Sequence, residues 1–198
     1  MHPRTAELLD YCDSQILHLR SAVDAMPAER RDWRPSPTAW STNDVIAHLT
    51  IMERRLAGVL GGALAEARAR GLRAESDASP IMPQIDLNPV LDRTTKITAP
   101  DRVDPRHTGD GFTWADFEAA RNSIRALLVE HDGMALGDLS HPHPIFGPLD
   151  FYHWFAFVGA HGTRHAAQIL EIANQWSLAN SSGGAAATDS PAGSASAR

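Results

Sequence analysis

The last regular segment of the chain constrains what the rest of it must do. From Trp154 onward, Val158, His161, His165, Ile169, Ile172 and Trp176 follow one another at three- and four-residue steps. That spacing lines one face of an α-helix starting near Pro148. Proline is welcome there, in a first turn. An apolar face of this length has to be buried, and helices of similar length are what can cover it.

Three earlier segments supply such helices. Between about Thr5 and Met26, Leu8, Cys12, Gln15 or Ile16, Leu19 and Val23 share a face, and Pro27 ends the run. A second helix begins near Asn43, where Ser41 and Asp44 form an acidic capping box. Its face carries Val45, His48 or Leu49, Met52, Leu56 and Val59 or Leu60, and it extends toward Arg70 despite Gly58, Gly61 and Gly62. Thr113 and Asp116 cap a third, with Phe117, Ala120 or Arg121, Ile124, Leu127 and Leu128 inward and Gly133 beyond its end. Four segments carry a helical period, so the expected fold is all-α: a four-helix bundle.

The stretch from about Gly71 to Gly111 has no period and holds Pro80, Pro83, Pro89, Pro100 and Pro105. Neither flank has enough helices to bury its own apolar faces. We therefore expect one domain over residues 1–176, in which this stretch is a long crossover joining parallel helices two and three. Residues 177–198 read as a flexible, low-complexity tail.

Charge and cysteine content exclude several functions. With 18 Lys plus Arg against 24 Asp plus Glu, the net charge of −6 opposes nucleic-acid binding and a polybasic membrane anchor. Cys12 is the only cysteine, so an intrachain disulfide and a cysteine-rich metal site are both excluded. On the apolar stripe of helix one, it reads as an inert core thiol. No signal peptide and no spanning segment are visible, and a cytoplasmic location is expected.

The chemistry is in the histidines. His161 and His165 lie one turn apart on the inward face of the last helix. Gly162, Thr163 and Arg164 separate them, so the glutamate of a metalloprotease helix is missing. His48 sits on the apolar stripe of helix two. Three neutral imidazoles would leave a divalent ion an open position, as catalytic sites do. Zn²⁺, Ni²⁺, Fe²⁺ and Cu²⁺ all suit such a set. The alternative is three core histidines satisfied by hydrogen bonds. Gln168, on the same face, is placed to orient a ring, with Asp44 and Glu171 as weaker candidates. His141 and His143, in SHPHPIFG, read as loop residues, and His153 as a partly exposed flank residue. Arg55, Arg121 and Arg164 could meet an anionic substrate, but a solvated helix face is the safer reading for each.

Three stretches resemble the DinB-like (DinB/YfiT-like) superfamily of metal-binding four-helix bundles. They are AWSTNDVIAHLTIMERR, HPIFGPLDFYHWFAFVGAHGTRHAAQI, and the amphipathic first helix with Trp33 and Pro35 after it. The resemblance implies four helices with a long link between the second and third. It implies a divalent metal, Zn²⁺ or Ni²⁺ before Fe²⁺, held by His48, His161 and His165. It also implies frequent homodimers. Characterised relatives include transferases acting on low-molecular-weight thiols such as bacillithiol and mycothiol, in which the metal helps activate the thiol. The expected function is accordingly a metal-dependent thiol S-transferase joining such a thiol to a small electrophile. A hydrolase using metal-bound water, and a non-enzymatic metal-binding stress or scaffold protein, are the other expectations. The long 71–111 connection departs from a minimal family member.

Overall fold

A computed structural model of the chain describes residues 1–94, 97–108 and 111–183. Four long helices form the bundle: α1 (Pro3–Asp24), α2 (Thr42–Ala69), α5 (Trp114–Glu130) and α6 (Phe151–Gly183). Two helical turns, α3 (Asn88–Leu91) and α4 (Pro105–Thr108), lie in the long connection. A small antiparallel hairpin, β1 (Ser140–His143) and β2 (Gly147–Asp150), precedes α6.

Both expected capping boxes are formed. The Ser41 and Thr113 hydroxyls accept from the Asp44 and Asp116 amides, and each aspartate accepts from its cap residue's backbone N–H in return. Cross-helix pairs give the directions. Arg54 meets Asp116 and Arg68 meets Glu130, so α2 and α5 run parallel. Cys12 donates to the Phe155 carbonyl and Gln15 meets Thr163, so α1 and α6 also run parallel. Two apolar clusters fill the space between these pairs. At one end Leu8, Leu60, Leu64, Ile124, Leu128 and Phe155 pack together, and at the other Leu19, Met26, Val45, Leu49, Phe117 and Ile169. Each cluster joins the starts of one parallel pair to the ends of the other, as a bundle with one crossover requires.

Residues 71–94 and 97–108 belong to that crossover, in anchored pieces rather than as one regular element. The Arg4 guanidinium, itself buried, ties down Glu75 and Asp77. Ile81, Ile85 and Val90 drop into the core, and Arg93 bridges to Glu171 on α6. The segment finishes beside α2, where Val103 and Asp104 are buried. Irregular backbone placed this way leaves no period for a sequence pattern to show.

Several expectations are corrected. Pro148 does not start the last helix; it lies in β2 opposite Pro142. Asp150 takes the cap position, accepting from the His153 amide at 2.8 Å. The helix continues past Trp176 to Gly183, so residues 177–183 are helical rather than tail, and 184–198 lie outside the described residues. Arg121 is not solvated. It is buried and donates to both carboxylate oxygens of buried Glu53, at 2.7 and 2.6 Å.

Helices α1 and α6 approach closely at Gly159. A Cβ there would come within 2.6 Å of the Tyr11 ring. Gly159→Ala should therefore lower stability by roughly 1–2 kcal/mol, because overpacking outweighs the gain in helix propensity. Gly58 has nothing within 4 Å of such an atom. Gly58→Ala should stabilise by about 0.5–1 kcal/mol. Urea unfolding of both variants checks the opposite signs.

Candidate metal centre

His48, His161 and His165 come together, as their stripe positions imply. One ring nitrogen from each lies within 4.8 Å of the others. The Nε2 atoms of His161 and His165 are 3.1 Å apart. The His48 ring centroid stands 5.5 Å from that of His161 and 5.0 Å from that of His165. Two turns of α6 and the first third of α2 hold the set, and the capping box at Ser41 fixes how α2 enters.

Hydrogen bonds decide what these rings present. His48 Nδ1 lies 2.8 Å from the Val103 carbonyl, which can only accept. The hydrogen is therefore on Nδ1 and the Nε2 lone pair is free. His165 Nδ1 lies 2.8 Å from Gln168 Oε1, and its Nε2 is freed in the same way. Burial pushes all three imidazoles below their ordinary values, His165 to about 3 and His161 well down; for His161 and His165 neighbouring histidines add to the effect. At neutral pH all three are thus neutral. Converging lone pairs on neutral, oriented imidazoles suit a divalent cation of borderline softness. The residues present fit such an ion.

Gln168 is the partner its position suggested. Asp44 and Glu171 are not, being engaged by Arg34 and Arg93. Trp40 covers the cluster, with its ring centroid 4.9 Å from His48 and 6.3 Å from His165. Phe157 stacks against His161 from the other side at 5.4 Å. Cys12 is buried, and burial raises its thiol to about 11, so it is inert as expected.

The cluster forms part of the lining of a cavity of about 1240 Å³. Its wall continues along α2 through Met52, Arg55, Leu56 and Val59, and along the crossover through Val90, Arg102, Val103 and Asp104. The β1–β2 hairpin closes one side with His141, His143 and Phe146. Both of these histidines lie in β1 rather than in a free loop, and His143 is 7 % exposed. The two residues before a proline at each position gave no sign of this packing. Arg55 and Arg102 line the cavity without a hydrogen bond or ion pair among the described residues, whereas Arg164 donates to the Val90 and Asp92 carbonyls. Three carboxylates line it too, and each is held by an arginine: Glu53 by Arg121, Asp104 by Arg106 and Glu171 by Arg93. That grip and the Arg106 amide hold Asp104 down at about 2. Among the described residues, no helix is long and apolar enough to cross a membrane.

Comparison with known proteins bears on the same region. A family model described as the DinB superfamily matches residues 17–169, a span that includes all three histidines. The chain is 27% identical over 153 residues to the uncharacterised protein YuaE of Bacillus subtilis (strain 168), covering 73% of this chain and 83% of that one. No solved structure matches.

Proposed function

This chain belongs to the DinB superfamily, and on that premise we propose that it is a metal-dependent thiol S-transferase. In this reading His48, His161 and His165 hold one divalent ion, Zn²⁺ or Ni²⁺ before Fe²⁺. The observation that carries it is the convergence of three neutral imidazoles, two of them oriented by hydrogen bonds, on the wall of a cavity large enough for two small reactants. A protein that used the histidines only as core residues would have no reason to leave space beside them.

The bound cation would supply stabilisation of thiolate, the nucleophilic form of the thiol cosubstrate, near neutral pH. The Val103 carbonyl and Gln168 keep the His48 and His165 rings aimed. Trp40 and Phe157 cover two sides of the cluster and limit water. Arg55 and Arg102, without a partner among the described residues, offer cations to an anionic group on a low-molecular-weight thiol. In the transfer, the thiol sulfur bonds to the electrophile's carbon. The leaving group departs with the bonding electron pair, and the thiol proton goes to solvent. The hydrolase alternative needs a general base, and the arginine grip on Glu53, Asp104 and Glu171 weighs against it. A homodimer in the cytoplasm completes the proposal.

The test starts with protein purified without an affinity tag. About one divalent ion per chain is expected after reloading, and His48→Ala, His161→Ala and His165→Ala should each lose it while remaining folded. With Co²⁺ in the site, a small thiol should then change the visible spectrum, and turnover of a reactive aryl halide should require both metal and thiol. A wild type that takes up no ion from Zn²⁺, Ni²⁺ or Fe²⁺ would overturn the proposal. A site that binds an ion but ignores thiols would leave the non-enzymatic protein in its place.

A further inference from the structure

The lining of the cavity beyond Phe157 differs in chemistry from the three histidines. The walls there are Phe146, Trp154 and Phe157, and His143 sits among them. The His143 ring centroid lies 4.6, 5.1 and 4.8 Å from those of Phe146, Trp154 and Phe157. Phe157 is the shared wall, since its other contact is the stacked ring of His161. A ligand lying along this wall would extend from the histidine cluster into an aromatic chamber.

His143 is the polar group in that chamber, and its tautomer is set by the backbone. Nδ1 accepts from the Ile145 and Phe146 amides at 3.1 and 3.2 Å, across the turn between β1 and β2. A nitrogen that accepts two N–H groups carries no hydrogen, so the hydrogen is on Nε2. Burial holds the ring far below the ordinary histidine range, at about 4, and the ring stays neutral at physiological pH. The side chain is more than nine-tenths buried, yet Nε2 has no hydrogen-bond partner among the described residues. His143 lines the cavity, so a donor there without a protein partner is open to an acceptor from outside the protein.

We propose that this part of the cavity receives the electrophilic substrate, as an apolar or aromatic body bearing one neutral oxygen acceptor that takes the His143 Nε2–H. The aromatic walls bury the body. The neutral donor suits a carbonyl-type oxygen. A full anion is the poorer occupant, since the chamber walls carry no cation to meet it. His143 thereby positions the electrophile with its remaining atoms toward the histidine cluster. This assignment rests on the thiol-transfer reading only for the word electrophile; the site itself is independent of the metal.

The experiment uses two small probes of nearly equal shape. Acetophenone carries the acceptor, and α-methylstyrene replaces its oxygen by a methylene group. Binding is followed by the indole N–H resonance of Trp154, which donates to the His141 carbonyl at 3.0 Å and reports on this chamber. A Trp154→Phe variant assigns the signal. The wild type should bind acetophenone about 3- to 10-fold more tightly, the range of one neutral hydrogen bond. The His143 Nε2–H resonance should move with acetophenone alone. His143→Asn keeps an oxygen to accept from the turn amides, but its amide N–H groups end short of the Nε2 position, so its preference for acetophenone should be smaller. Equal binding of the two probes to the wild type, no binding of either, or undiminished discrimination in His143→Asn would each overturn the proposal. The wild-type comparison decides even if the variant fails to fold. His48→Ala should retain the discrimination, and the metal content of every sample is measured in parallel, so failure here is distinguishable from failure of the metal-centre proposal.

Discussion

Arg121→Met should cost about 3–5 kcal/mol of stability, a large share of what a domain of this size has. The charge removed is not the main loss. Glu53 is 2% exposed, and in the wild type both of its oxygens accept from Arg121. Without the guanidinium, a carboxylate stays in the core with no partner. Burial already pushes the Glu53 carboxyl above its ordinary value, and Arg121 is what pulls the other way. In the variant that pull is gone, so Glu53 folds with a proton on it. The folded state then binds more protons than the unfolded one, and stability falls as pH rises above the unfolded carboxylate range. Chemical unfolding of Arg121→Met between pH 4.5 and 8 should show that downward slope. Glu53→Leu combined with Arg121→Met removes both charges and should recover most of the loss, since well-packed apolar replacements of buried ion pairs are often neutral or better. A double variant as unstable as the single one would mean that the pair matters for shape rather than for charge.

That pair also shows what sequence patterns can and cannot carry. The four helices, their caps and the histidine set were legible because each is a local or periodic feature: Ser41 with Asp44, Thr113 with Asp116, His48 in a stripe, His161 four residues before His165. The DinB resemblance then singled out the same three histidines. Arg121 could be read only as one of two candidates for an inward position, because its acceptability inside depends on Glu53, 68 residues earlier. A charge on an apolar stripe is legible as buried once a partner on another stripe is suspected, and the helix pairing that brings them together is tertiary information. The hairpin before α6 was hidden for a different reason. Its strands are four residues long with Pro142 opposite Pro148, so neither alternation nor β-propensity marks them. His143 escaped with it, because its burial comes from Phe146, Trp154 and Phe157, which meet only when the hairpin folds onto α6.

The histidine cluster should change its effect on stability according to whether an ion is bound. With the ion chelated away, the cluster holds neutral rings whose lone pairs converge, and the Nε2 atoms of His161 and His165 are 3.1 Å apart. One hydrogen shared between them is the most they can arrange. His161→Ala therefore gives up packing against Phe157 but little polar stabilisation, and its cost in chelator should be about 1–2 kcal/mol, well below that of a fully buried aromatic residue. Adding the ion reverses the balance. An ion that binds only the folded state at 100 to 1,000 times its dissociation constant adds about 2.7–4.1 kcal/mol. For a chain of this length that corresponds to a rise in Tm of about 5–15 °C. His161→Ala forfeits this gain, so its deficit against wild type should widen by the same amount when metal is supplied. Thermal unfolding of both proteins, each with chelator and with excess Zn²⁺, measures the four corners of the cycle. A deficit that stays constant across the two conditions would mean that His161 touches no ion. A widening of several kcal/mol would tie the ring to the metal by a thermodynamic coupling that loss of packing alone cannot produce.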